Sequence, residues 1–243
     1  MLSVSSLASN TLLQSNEALN SGSNINTATT TVSFASATQG SDLVLCFLRW
    51  VSPAATQSST PGPATTTLST PGVTWSLLGQ GYWSYTQSGQ FATGGMAAFA
   101  AYRAPVISFG TATTAVSTLT DMTGAIIRTD ILVAEFNLNS ISVGSINVGP
   151  VVQNGTDGDI YTSSVGNITP ANGELVIMAV GPYAGNFALS SGWSTLGSYE
   201  AYLLTSSGST VGTNLYTNCA GYVQYAFSFA PGSIVSPRHD EVL

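Results

Sequence analysis

The stretch Asn172–Tyr199, "NGELVIMAVGPYAGNFALSSGWSTLGSY", decides the fold, because the chain has already written the same phrase about 130 residues earlier. There the order is "QGSDLVLCFLRW", a long polar loop, and then "PGVTWSLLGQG". Each version has a small polar turn, an acid, an apolar run, a loop, a tryptophan and a Leu-Gly step. The apolar runs are four to eight residues long and bounded by turn residues, with aromatic and β-branched side chains, and this favours strands covered on both faces. Outward from them, "TTTVSFAS", "GGMAAFAAYRA", "TAVSTLT", "GAIIRTDILVAEFNLN", "YEAYLLTS" and "CAGYVQYAFSFA" also read as strands separated by Gly, Ser, Thr and Pro turns. The expected fold class is all-β, an antiparallel β-sandwich. Neither half has enough strands of this kind to close two sheets, so the two half-motifs are expected to interleave in one sandwich over residues 29–230.

Two flanks stand outside that strand list. Residues 1–28 are too polar for a core of their own, and Leu12, Leu13, Ala18 and Leu19 fit a helical turn or two. They read as an assembly arm that packs on something else. Residues 231–243 read as a polar tail. The Pro- and Thr-rich stretch Ser52–Gly72 reads as a long exposed loop.

Composition narrows the function. The chain has 243 residues and 44% hydrophobic content but only four Lys and Arg and eleven Asp and Glu, for a net charge of −7. A folded surface of roughly 10,000 Å² then carries very few charges, which suits a protein packed against neighbours or standing outside cells. The scattered arginines Arg49, Arg103, Arg128 and Arg238 form no basic stripe, which argues against nucleic acid. No apolar run reaches the length of a membrane helix. The N-terminus has neither the basic nor the apolar region of a secretory signal, so synthesis in a cytoplasm without export is expected.

The phrase and its surroundings resemble the jelly-roll modules of phage virion proteins and of extracellular bacterial proteins. The resemblance rests on Asp42-Leu43-Val44-Leu45, Val73-Thr74-Trp75-Ser76-Leu77-Leu78, Phe99-Ala100-Ala101-Tyr102-Arg103-Ala104 and Leu132-Val133-Ala134-Glu135-Phe136, with Gly173-Glu174-Leu175-Val176 and Gly192-Trp193-Ser194 in the second half. It implies a jelly-roll sandwich and a non-enzymatic structural or adhesive role, with no catalytic residues to carry over. The long insert of residues 52–72 departs from the pattern. The expectation is a virion protein, most simply a capsid-decorating or head-surface protein. It would assemble as a dimer or trimer and bind a major capsid protein through the N-terminal arm. The alternative is a carbohydrate-binding adhesin module.

Residues able to carry chemistry are few. The single histidine, His239, lies four residues from the end of the sequence, a poor place for a catalytic imidazole. A pair of acids could serve glycoside hydrolysis, with Asp121, Asp130, Glu135, Asp157, Asp159, Glu174 and Glu200 as candidates. Glu135, an acid inside an apolar strand, reads as the partner of Arg103 or Arg128 on a neighbouring strand. Asp42 and Glu174 read as turn residues at strand entries. Asn154, Asp157 and Asp159 offer oxygen ligands of the kind Ca²⁺ takes, or ordinary turn chemistry. No cofactor is expected. Tyr82, Trp83 and Tyr85 are a candidate stacking platform for a glycan, while Trp75 and Trp193 read as core. Cys46 and Cys219 read as small buried hydrophobes, with a disulfide between them as the other possibility.

Overall fold

A computed structural model describes residues 11–22, 27–38, 42–54, 64–102, 113–119, 127–137, 142–205 and 208–230. These residues form strands and connections with no helix among them. The strands are β1 (Thr11–Gly22), β2 (Thr27–Ser33), β3 (Asp42–Ala54), β4 (Ala64–Thr65), β5 (Ser76–Gln87), β6 (Gln90–Tyr102), β7 (Thr113–Leu119), β8 (Ile127–Asn137), β9 (Ser142–Gln153), β10 (Gly155–Thr156), β11 (Leu175–Tyr183), β12 (Asn186–Phe187), β13 (Ser194–Thr195), β14 (Glu200–Leu204), β15 (Tyr216–Thr217) and β16 (Gly221–Ala230). Two large sheets face each other, one ordered β1-β8-β3-β6-β5-β10 and the other β13-β14-β11-β16-β9. The antiparallel β-sandwich expected from the sequence is therefore the fold.

The expected interleaving of the halves is overturned. Apart from the two residues of β10, every described strand of the first large sheet precedes residue 138 and every described strand of the second follows residue 141. From one edge, the first sheet runs β1-β8-β3-β6-β5 and the second runs β9-β16-β11-β14-β13. These are the same order once β3 is matched to β11 and Trp75-Ser76, at the start of β5, to Trp193-Ser194, at the start of β13. All the neighbouring pairs in both runs are antiparallel. The phrase is written twice because each copy builds one large sheet.

Each copy also makes its own outer cover, which the expectation of too few strands missed. Over the first sheet lies β2-β7-β4. Over the second, β12 pairs with β15, and bridges Tyr161–Cys219 and Ile168–Val211 hold the segment before β11 against the segment before β16. The strands β4, β12 and β15 have two residues each, too few to show a period, and β2 and β7, legible as strands, gave no sign that they form a separate layer.

This layering explains the continuous apolar runs. β3 and β11 are central strands, buried on both faces, so both parities must be apolar. Leu43, Leu45 and Phe47 meet Leu175, Ile177 and Ala179 in the core between the large sheets. Val44, Cys46, Leu48 and Trp50 face the first cover with Val32 and Phe34. Val176, Met178 and Val180 face the second cover with Trp193, Leu215 and Cys219. Trp75 packs against the first outer core and Trp193 lies within the second, so the repeated tryptophans hold equivalent places.

Residues 11–22 are not a helix and not a detached arm. They pair with β8 from Thr11–Asn137 to Gly22–Ile127 as the edge strand of the first sheet. Leu12 packs toward the inter-sheet core, while Leu13 and Leu19 are exposed. A bulge at Leu12/Gln14 breaks the period of two in this strand.

Candidate functional site

The sandwich closes along two edges, and the internal duplication makes them counterparts. Along one edge β5 lies near β9, and along the other the Trp193–Tyr199 segment meets β1 through Glu17 and Ser198. "WSLLGQ" and "WSTLGS" therefore occupy equivalent positions, with Ser76, Leu78 and Gly79 matched by Ser194, Leu196 and Gly197. Leu77 and Gln80 are replaced by Thr195 and Ser198.

The edge beside β5 is apolar. Leu77, Leu78, Val143, Ile146, Phe227 and Phe229, with Asn147 and Ser228 beside them, line a cavity of about 210 Å³ there.

The edge beside β1 gathers charge. Arg49, on the inner face of β3, is buried and forms an ion pair with Asp130 on β8. Its second Nη donates to Pro182 O at 2.9 Å, across the sandwich. Its guanidinium lies 4.0 Å from the centre of the Tyr199 ring, a cation–π contact. Arg128 stands 3.6 Å from Asp130 and donates to the Tyr199 hydroxyl at 3.4 Å. Glu17, on β1, accepts two hydrogen bonds at Oε2, from Ser198 N at 3.2 Å and Ser198 Oγ at 2.9 Å. Glu200 is buried below them, and its backbone oxygen accepts from Leu196 N and Gly197 N. Burial, reinforced by the Glu17 charge, pushes the Glu200 carboxyl well above its ordinary range and favours the neutral, protonated acid.

Aromatic rings extend this cluster to the surface. Tyr199 stacks on Tyr216 at 5.7 Å, and Phe187 stands edge-on to Tyr216 at 5.6 Å. Tyr216 donates its hydroxyl to Ser198 O at 2.7 Å. Glu17, Phe187, Thr195, Gly197, Ser198 and Tyr216 together line an open basin of about 500 Å³.

The stacking platform expected from the sequence does not exist as a surface. Trp83 is 0% exposed and Tyr85 is buried, both in the inter-sheet core, and Trp83 Nε1 donates to Gly181 O at 2.7 Å. Of the three, only Tyr82, on the opposite face of β5, is open to solvent, at 50% exposure. The alternation of "YWSY" is legible in the sequence, but which parity faces inward depends on the second sheet.

The calcium trio is engaged piecemeal. Asn154 Oδ1 accepts from Ser84 N at 2.9 Å, Asp157 Oδ1 from Gln87 Nε2 at 3.1 Å, and Asp159 Oδ2 from Thr156 N at 2.7 Å and Thr156 Oγ1 at 2.8 Å. The Thr156 hydrogen bonds hold the Asp159 carboxyl below its usual range. Among the described residues no group of three or more His, Cys, Asp and Glu side chains could hold a metal ion. These three residues are turn and strand-tie groups that fasten β10 to β5.

Glu135 does not pair with Arg128. Both are on β8, seven residues apart and so about 23 Å along the strand. Glu135 instead accepts from Gln14 Nε2 at 2.5 Å, on the face of the first sheet away from Asp130. Arg103, Asp121 and His239 lie outside the described residues. Glu174 is more than a turn residue: buried, it accepts from Ser145 N, Ser145 Oγ and Ala171 N and pins β9 to the entry of β11. Cys46 and Cys219 are free, buried thiols in opposite outer cores.

Sequence reasoning passed over Arg49, Phe187 and Tyr216. Arg49 carried a signal, being a cation inside an apolar strand run. Phe187 and Tyr216 carried none, since they sit in strands of two residues. Comparison of the chain with protein-family models, with curated proteins and with solved structures finds no match.

Proposed function

We propose that this is a non-enzymatic virion structural protein, a decoration or head-surface protein of a phage capsid that works as a dimer or trimer on a larger particle. One observation carries the reading: the surface is nearly without charge. Of the fifteen charged residues in the chain, Arg49, Asp130, Glu135, Glu174 and Glu200 are buried. At most ten charged residues are then left for 11586 Å² of accessible surface. Leu13, Leu19, Leu77, Tyr82, Val143, Val152, Ile160, Phe187 and Leu204 are exposed on that surface. A lattice neighbour or a second copy covers uncharged surface that a free monomer would have to keep wet.

The strand order supports the resemblance to virion jelly rolls. In the first half successive strands alternate between the large sheet and its cover from β1 to β4 and again from β6 to β8. Two sheets fed alternately by one chain are the jelly-roll pattern; β5, hairpinned to β6, departs from it. The contact with a major capsid protein is assigned to the β1 edge, where Leu13 and Leu19 are exposed, rather than to a free arm. The adhesin alternative loses the Trp83 platform on which it was based.

Sedimentation of the purified chain, with co-sedimentation on capsids, tests the reading. Expected is a dimer or trimer that pellets with capsids, with Leu19→Asp reducing the pelleted fraction. A stable monomer that ignores capsids overturns it.

A further inference from the structure

We propose that the basin between β1 and the Trp193–Tyr199 segment binds a neutral saccharide, a property beyond the assembly reading. The internal duplication supplies the first argument. Residues equal in the two copies, such as Ser76/Ser194, Leu78/Leu196 and Gly79/Gly197, serve the shared architecture. Residues that differ are free to serve something local. At this edge Leu77 has become Thr195 and Gln80 has become Ser198, and where the counterpart edge is lined mainly by aliphatic and aromatic side chains this one sets hydroxyls and a carboxylate beside two aromatic rings.

The lining fits one chemical class. A pyranose has an apolar C–H face that packs on an aromatic ring and a rim of hydroxyls that seek acceptors and donors. Phe187, 39% exposed, presents the ring. Thr195 presents an exposed hydroxyl beside Ser198. Both Ser198 hydrogen bonds to Glu17 go to Oε2, which leaves Oε1 to accept from a sugar hydroxyl. Among the described residues the lining contains this one carboxylate and no cation, so an anionic sugar meets repulsion and a neutral one does not. The basin is broad and open, about 500 Å³, so a sugar would lie against it rather than be enclosed.

The site is also pre-organised, which lowers the ordering cost of binding. Tyr216 is wedged between Phe187 and Tyr199, and Arg49 clamps Tyr199. The Tyr216 hydroxyl and the Glu17 carboxylate both tie Ser198. At Gly197 a Cβ would press on Leu132 and on Glu200 Oε2, so the loop lies as close to the sheet as a backbone can.

The test is nuclear magnetic resonance of the full chain titrated with methyl β-D-glucoside, methyl α-D-mannoside and N-acetyl-D-glucosamine, with N-acetylneuraminic acid as the anionic control. Expected are shifts at Phe187, Thr195 and Ser198 for at least one neutral sugar and a weaker response to the acid. Phe187→Ala should weaken that binding roughly tenfold, the scale of one lost aromatic contact, with only a small fall in melting temperature from the lost Tyr216 contact. Thr195→Leu, which installs the residue of the other copy at an exposed position, should weaken it as well, and Tyr82→Ala should leave it intact. The proposal fails if no neutral sugar shifts these residues, if Phe187→Ala binds as before, or if the acidic sugar binds best.

Discussion

Two adjacent glycines show how single residues set this sandwich. In β6, Gly94 lies opposite Trp83 of β5 and Gly95 opposite Trp50 of β3. A Cβ at Gly94 would overlap the Trp83 indole, and one at Gly95 the Trp50 indole. Successive strand positions face opposite ways, so the pair makes room for one tryptophan in the inter-sheet core and one in the outer core. Gly94→Ala is expected to cost about 1–3 kcal/mol by overpacking, and Trp83→Ala about 3–5 kcal/mol by leaving a cavity; urea unfolding measures both. A Trp83→Ala chain as stable as the parent would contradict its burial. Glu200 gives a pH signature. Its carboxyl is raised in the fold by burial and by the neighbouring Glu17 and Asp130 charges, against the opposing pull of Arg49. The folded state therefore holds a proton that the unfolded state releases near the ordinary value of 4.5. This contribution to stability is complete below that pH and is lost as the pH rises through the folded value. Glu200→Gln should flatten the alkaline side of a melting-temperature profile, and a profile identical to the parent's would refute the assignment.

Among the elements, β1 carries more than its polar sequence suggests. It covers the edge of β8, whose run Asp130–Phe136 is otherwise an apolar strand edge open to other chains. It also supplies Glu17 to the Ser198 clasp and Gln14 to Glu135. Deleting residues 1–22 should lower the melting temperature and promote aggregation, seen by thermal unfolding and sedimentation. A truncated chain that melts like the parent would show that the strand is dispensable. The residues fastening β1 are hydrogen-bonding side chains at spacings with no apolar period, which is why this strand is illegible in the sequence.

For the whole molecule, the duplication makes a mechanical prediction. The two halves meet through the largest core, in which Leu43, Phe47, Trp83, Phe136, Ile177, Tyr225 and Phe229 are all buried, and among the described strands only β10 crosses from one half to the other sheet. A chain cut between residues 137 and 142 should remain one particle under native conditions, because that interface is a hydrophobic core rather than a surface contact. Size-exclusion chromatography after cleavage checks it, and two separately eluting halves would contradict a shared core. A half expressed alone would expose its inner face and is expected to aggregate or to pair with a second copy.

The sequence by itself determined the strand class, the two central strands and their burial, since a strand such as Leu43–Trp50 that is apolar at both parities must be covered on both faces. It also showed the duplication and the equivalence of Trp75 and Trp193, because these are local patterns. Only the tertiary structure decided that each copy builds its own sheet and cover, that Trp83 faces inward, and that Glu17, Arg49, Asp130, Glu200 and Tyr216 converge along one edge. Those outcomes depend on which face of a strand meets the other half. Strand periodicity states that two faces differ or agree, but contacts between residues more than a hundred positions apart choose which face is buried.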